Sequence, residues 1–403
     1  MRFIKISLLV LICAIFIIGC NNIQYGNNTS NTSTIDDGNE LLYGKYPEPV
    51  LMAIESHDIS KYYKEITKND LKKVTYLYFK DYAFEDGKEY DFSILLETPN
   101  LRYLNINLGE NIKLEDYSVL KNLKKLEVLY ISNVNNEDVK NLAGLTSLEL
   151  LCIYDSEDLT CGEFLSNMQQ LTDLEFHNVP NFHDYQQLKK LSKLKDLLIC
   201  NANNDDVKNI AGITSLKELS IYDSKDLTNI EFLRDMQQLT YFGLNNVPNV
   251  HDYQSLKHLK NVKQINLTNS GLTEKDVNTF PDMDSIESLS LYNNKIKSLN
   301  NFPKMKNLQS LSLSDNPLIE INILPDRLPN LKDLDLLNTK ITDLNKLSGV
   351  SNIESIHLKK TDVKRISPLK EYKNLKFINI NPDNLEDLDV FKDSSVEIWE
   401  LEG

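Results

Sequence analysis

The chain has 403 residues, 41% hydrophobic and 26% charged, the balance of a folded globular protein rather than a disordered one. Its formal net charge is −15, and it carries no basic stripe of the kind a phosphate backbone requires, so no nucleic-acid partner is expected. Thirteen glycines leave few places for a backbone phosphate cradle.

The first twenty residues differ in kind from the rest. Arg2 and Lys5 precede an apolar run from Ile6 to Ile18, the length of a signal-peptide core and short for a spanning helix. The run ends in Ile17-Ile18-Gly19-Cys20, a quartet that resembles the lipobox of bacterial lipoproteins. The resemblance implies that residues 1–19 are a cleaved signal peptide. It also implies that Cys20 is lipidated and holds the mature chain to the extracytoplasmic face of a bacterial cell membrane. Residues 20–40 are rich in Asn, Ser and Thr and too poor in apolar groups to order themselves, which predicts a flexible tether.

Residues 41–70 read as a helical N-terminal cap, with Pro49 suited to a first helical turn and Val50 and Ile54 on an inward stripe. From residue 71 to 403 one frame recurs. In "LKDLDLLNTKITDLNKLSGVSN", Leu331 to Asn352, Leu334 and Leu336 lie two apart and face one side of a short strand. Ile341, Leu344 and Leu347 turn inward from a return segment. Such a unit has about seven inward residues, at roughly 1.5–3 kcal/mol each. Ordering its backbone and side chains costs on the order of 30 kcal/mol, so it is stable only when stacked in an array. The frame starts at Leu101, Leu126, Leu148, Leu171, Leu194, Leu216, Leu239, Val262, Ile286, Leu308, Leu331, Ile353 and Leu375, mostly 22 or 23 residues apart. That period is the signature of a leucine-rich repeat. The fold expected is an α/β-type repeat solenoid, a horseshoe or curved rod with a parallel concave β-sheet. A last strand, "VEIWEL", leaves an exposed edge on which Glu397, Glu400 and Glu402 discourage pairing.

The unit L-x-x-L-x-L-x-x-T-x-I-x-x-L-x-x-L-x-x-V, together with the cap segment "ITKNDL", resembles the internalin-type leucine-rich repeats of Gram-positive bacteria over residues 45–401. The resemblance implies a surface protein that binds another protein through its concave sheet. The chain departs from the family in showing no Ig-like module and no LPxTG sorting motif. It also carries Asn at the ninth repeat position only at Asn294 and Asn316. Val134, Ser156, Val179, Ala202, Ser224, Val247 and Ser270 stand there in the middle repeats, which predicts a weakened Asn hydrogen-bond ladder.

Residues 126–193 and 194–261 are copies of each other, identical at 42 of 68 positions. The differences gather on the strand positions expected to face solvent, where 10 of 12 differ, against 16 of the other 56. The return loops are also exposed yet have hardly drifted, so selected divergence of the concave face explains the pattern better than neutral drift. The residues expected to form a protein-binding face are Val128, Tyr130, Leu150, Cys152, Tyr154, Asp173, Glu175, His177, Leu198, Glu218, Tyr222 and Tyr241. Cys200 is expected to project beside them. Exposed apolar and aromatic patches mark binding sites, and the acidic residues among them suggest a partner with complementary positive charge.

No phosphate loop, H-E-x-x-H, C-x-x-C or G-x-S-x-G occurs. His177, Cys200 and Glu175 suggest a thiol nucleophile, and Cys152, His177 and Cys200 a metal site. An open sheet, however, lacks a water-excluding cleft, and neither reading is favoured. No enzymatic activity and no cofactor are expected. Cys152, Cys161 and Cys200 are expected to stay unpaired, and His183 and His251 to serve loop hydrogen bonds. The expected function is that of a membrane-anchored, monomeric, surface-exposed binder of another protein, of adhesin or host-interaction type. The alternative is an envelope structural or housekeeping protein that binds the cell's own wall polymer or a neighbouring surface protein.

Overall fold

The computed structural model describes residues 39–55, 61–79, 83–85, 87–109, 112–300, 302–322, 326–347, 350 and 352–399. Cys20 and the rest of 1–38 lie outside the described residues, as do Glu400 and Glu402. The chain divides into units 1–40 and 41–403, and all elements below belong to the second.

The apolar frame builds a 15-stranded parallel sheet in which each strand pairs with the one from the next repeat. Its strands are β1 (Tyr76–Tyr78), β2 (Tyr103–Ile106), β3 (Val128–Ser132), β4 (Leu150–Tyr154) and β5 (Asp173–His177). There follow β6 (Asp196–Cys200), β7 (Glu218–Tyr222), β8 (Tyr241–Asn245), β9 (Gln264–Thr268) and β10 (Ser288–Ser290). The last five are β11 (Ser310–Ser312), β12 (Asp333–Asp335), β13 (Ser355–His357), β14 (Phe377–Asn379) and β15 (Glu397–Trp399). Register places Leu104, Leu129, Leu151, Leu174, Leu197, Leu219 and Phe242 in one inward row across seven strands. Every frame-starting residue from Leu101 to Leu375 is buried. The unit is therefore a curved solenoid whose core is a stack of apolar layers, each closed by the next repeat.

Each strand from β3 to β13 is followed within three residues by a left-handed residue: Asn133, Asp155, Asn178, Asn201, Asp223, Asn246, Asn269, Asn293, Asp315, Asn338 and Lys360. Ten of these eleven are Asn or Asp, whose short side chains tolerate that conformation and hydrogen-bond locally. Here they also tie repeats together. Asn178 Nδ2 donates to Asp155 Oδ1 at 2.8 Å, and Asn246 Nδ2 to Asp223 Oδ1 at 2.6 Å.

The turn ladder is thinner where Asn is missing, but it is not lost. Asn294 Oδ1 accepts the backbone N–H groups of Ser270 and Leu272, and Asn316 Oδ1 accepts that of Ile296. In the middle repeats a serine does part of this work. Ser156, Ser224 and Ser270 hydroxyls accept the N–H groups of Val134, Ala202 and Val247 in the preceding repeat. Each of these hydroxyls donates in turn to a carbonyl two residues back. Val179 faces Ala202 in the next repeat, which offers no acceptor, and there the sulfur of Cys200, two residues earlier, accepts Val179 N–H at 3.2 Å. The ladder is thinned there, since Asn294 also donates to three carbonyls, but a small polar side chain keeps one acceptor for the preceding repeat.

The return segments are mostly short 3-10 turns, with capping boxes at Thr67/Asp70, Asn203/Asp206 and Thr273/Asp276. Asn135 and Asp138 make the same reciprocal pair of bonds. At the N-terminal end the helix Glu48–Glu55 buries Val50, Leu51 and Ile54. Leu41 bridges Thr67, and Leu42 N–H reaches Ile66 O at 2.9 Å. Among the described residues no helix is long and apolar enough to cross a membrane.

Candidate functional site

The solvent side of β2–β8 is laid out by the sheet register. One row runs Tyr103, Val128, Leu150, Asp173, Asp196, Glu218 and Tyr241. The next runs Asn105, Tyr130, Cys152, Glu175, Leu198 and Ser220. A third holds Ser132, Tyr154 and His177. Outward side chains on neighbouring strands lie about 4.8 Å apart, so residues adjacent in a row are neighbours in space.

Across the rows runs a continuous aromatic diagonal. Tyr76 stacks on Tyr103 with centroids 4.2 Å apart and planes 14° from parallel. Tyr103 meets Tyr130 at 5.7 Å, and Tyr130 meets Tyr154 at 6.5 Å. Tyr154 stacks on His177 at 4.7 Å and 8°. Five rings on five successive strands thus make one half-exposed stripe. Each ring pair adds about 0.5–1.5 kcal/mol beyond area burial and presets the geometry.

The stripe ends against a carboxylate. His177 Nε2 and Glu175 Oε2 are 2.8 Å apart. Burial pushes the Glu175 pKa up, but the hydrogen bond and charge of His177 outweigh it and hold the carboxyl below its ordinary value. Burial drives the phenols of Tyr103, Tyr130 and Tyr154 well above theirs, assisted at Tyr130 and Tyr154 by the negative field of Glu175. The three phenols therefore stay neutral while the carboxylate stays charged.

Of the residues expected on the binding face, Val128, Tyr130, Leu150, Tyr154, Asp173, Glu175, His177, Leu198, Tyr222 and Tyr241 are half-buried on the sheet surface, and Glu218 is exposed. Cys152 is not accessible. It lies in the outward row but is only 1% exposed, because its thiol is covered by larger neighbours and shares a hydrogen bond with Glu175. Cys200 is likewise buried, its sulfur turned to Val179 N–H. Burial pushes both thiols up, so neither is an ionised nucleophile. The expected His177–Cys200 pairing does not form. β5 and β6 pair only as far as Glu175 and Leu198, and His177 is held by Glu175 and Tyr154. Among the described residues no group of three or more His, Cys, Asp or Glu is placed to hold a metal ion. In the loops, His183 contacts the buried carboxylate of Asp206 at 2.8 Å, and His251 that of Asp276 at 3.0 Å.

Two features lie outside the sequence-based expectations. Tyr76 and Tyr103 extend the stripe beyond the duplicated segment, and their outward strand positions are the signal that points to them. At the other end of the sheet the surface changes character. Ser312 and Ser314 hydroxyls donate to Asp335, and His357 lies 3.3 Å from Asp333. The hydrogen bond with Asp333 raises the His357 pKa against burial.

A leucine-rich repeat family model matches residues 260–318. No curated protein matches the chain in sequence. Among solved structures, the internalin InlF of Listeria monocytogenes is 20% identical with a TM-score of 0.55, over 88% of this chain and 95% of that one. A chain of the mouse RP105/MD-1 complex is 15% identical with a TM-score of 0.55, over 83% and 68%. A chain of the Drosophila Toll–Spatzle complex is 15% identical with a TM-score of 0.56, over 76% and 45%. At such identities the likeness is one of architecture, and the chain has a leucine-rich repeat fold.

Proposed function

We propose that this chain is a lipid-anchored surface protein that binds another protein through the concave sheet between Tyr76 and Tyr241. The observation that carries this reading is the aromatic diagonal from Tyr76 to His177, five ring-contacting side chains left half-exposed on successive strands. A soluble domain rarely keeps so many preordered aromatic rings at its surface without a use for them, and tyrosine is enriched among the anchors of protein interfaces. The duplication supports it independently. Register sets the two copies side by side as β3–β5 and β6–β8, and their differences are concentrated on this face, at 10 of its 12 positions. Several sequence differences there have structural rather than surface roles, notably Ser132 against Cys200, both of which accept backbone N–H groups. The exchanges of Val128 for Asp196, Tyr130 for Leu198 and Asp173 for Tyr241 remain true surface changes.

Membrane attachment rests on the Ile17-Ile18-Gly19-Cys20 quartet. Replacing Cys20 by Ala should block processing or release the protein from the membrane fraction, whereas normal processing with full retention would contradict the anchor. The full chain should capture a protein in parallel pull-downs from host-cell extracts and from the bacterium's own envelope. Capture from the host extract supports the adhesin reading; capture only from the envelope supports a housekeeping role. In either case the capture should be lost with Tyr154→Ala.

A further inference from the structure

Resting on the reading that the concave sheet is a binding face, we infer that its partner is a basic protein segment. An arginine or lysine side chain of that segment would seat over the carboxylates of β5–β7, between two groups of tyrosines.

The argument begins with charge. Within β3–β8 the outward positions hold four carboxylates, Asp173, Glu175, Asp196 and Glu218, and the entrance positions add Glu127 and Glu149 against two cations, Lys195 and Lys217. Asp173, Asp196 and Glu218 are directly in register on three adjacent strands. Three carboxylates in register about 4.8 Å apart build a negative potential along the row, to which a cationic side chain is complementary. Lys195 and Lys217 stand at the strand entrances, one residue before Asp196 and Glu218, so the face as a whole stays acidic.

The surroundings narrow the kind of cation. On one side of the carboxylates stand Tyr130 and Tyr154, and on the other Tyr222 and Tyr241. The phenols of Tyr130, Tyr154 and Tyr222 all lie within the field of Glu175. A hydrated metal ion gains nothing from such walls. A guanidinium or ammonium group on an aliphatic stem gains twice, by ion pairing and by packing against aromatic faces. Arginine suits the arrangement better than lysine because its planar group both stacks and bonds two carboxylate oxygens at once.

The same charges exclude other occupants. A second copy docked face to face would bring two identical carboxylate rows together. An anionic wall polymer or nucleic acid would meet the same repulsion. Leu150 and Leu198, half-buried beside the row, add an apolar requirement, so the segment should carry apolar residues next to its cation.

A random linear peptide library displayed on phage, selected against the full chain, tests this even while the partner is unidentified. The comparison proteins are the triple variant Asp173→Asn, Asp196→Asn, Glu218→Gln and the single variant Tyr154→Ala, each checked for cooperative unfolding. Glu175 is left in place because it holds His177. The expected result is enrichment of peptides with Arg or Lys beside apolar residues. Their affinity should fall at least about tenfold on the triple variant and should weaken as salt is raised. Peptides that lack basic residues, and that depend on Tyr154 but not on the carboxylates, would overturn the cationic partner and leave the sheet-face reading standing. Peptides indifferent to both variants would overturn both. Basic peptides indifferent to the triple variant, or no enrichment at all, would also overturn the proposal.

Discussion

His177 lies flat on Tyr154, with ring centroids 4.7 Å apart and planes 8° from parallel, while its Nε2 stands 2.8 Å from the Glu175 carboxylate. One imidazole thereby joins the aromatic diagonal to the acidic part of the sheet. The arrangement predicts energetic coupling. In a double-mutant cycle on folding stability, Tyr154→Ala and His177→Ala should show an interaction of about 0.5–1.5 kcal/mol. Additive effects within about 0.3 kcal/mol would mean that the stack contributes nothing.

The three cysteines among the described residues are free thiols with different access. Cys152 and Cys200 are buried, and Cys161 is partly exposed. A thiol reagent should label Cys161 in the folded chain and leave Cys152 and Cys200 untouched. All three should react once the chain is unfolded without reductant. Rapid labelling of native Cys152 would place it back on the accessible face.

Capping carboxylates hold the return segments, and their loss should be local. Asp206 is buried and accepts Asn203 N–H at 2.8 Å while contacting His183. Asp206→Ala should destabilise its helix by about 1–2 kcal/mol, read as faster amide hydrogen exchange over residues 203–211. Asp205→Ala, an exposed change on the same helix, should stay within about 0.5 kcal/mol. Equal effects of the two would refute the capping role.

Asp70 gives a pH signature at the N-terminal end. Burial raises its pKa, but hydrogen bonds from Lys61 and Thr67 outweigh that and bring it from 3.8 to about 2. A depressed folded pKa means that its stabilisation is fully present above about 4 and is lost as pH falls toward about 2. The stability difference between wild type and Asp70→Asn should therefore be constant near neutrality and shrink across that acid window. A difference that grows on acidification would have the wrong sign.

The stacked architecture is legible because inward positions repeat with little variation: Leu331, Leu334 and Leu336 announce a strand, and their counterparts recur along the chain. Accessibility on the outward face is less legible. Alternation correctly puts Cys152 on that face, but it says nothing of the neighbours that cover a small side chain. Cys200 departs from alternation for another reason, since the strand is already bending into its turn there and the sulfur follows the backbone donor of Val179. The left-handed Asn or Asp after each strand recurs at a regular spacing from Asn133 to Asn338. The repeat frame marks the following position instead, where Ser156, Ser224 and Ser270 replace asparagine by the same acceptor chemistry. Residue identity alone suggests a weakened ladder there, but it does not show which backbone donor a serine hydroxyl meets or how much of the ladder survives. Tyr76 and Tyr103 lie outside the duplicated residues 126–261, so a comparison of the two copies does not point to them.

The claim that the concave sheet is the binding face is tested most directly with the captured partner, by measuring its affinity for wild type, Tyr154→Ala and Glu163→Ala. Tyr154 stands in the aromatic diagonal between Tyr130 and His177, and Glu163 is an exposed acidic residue of a return segment. Tyr154→Ala should weaken binding by at least about 2 kcal/mol, roughly thirtyfold, with Glu163→Ala close to wild type. An unchanged affinity for Tyr154→Ala together with a large loss for Glu163→Ala would put the partner on the return loops and contradict the account.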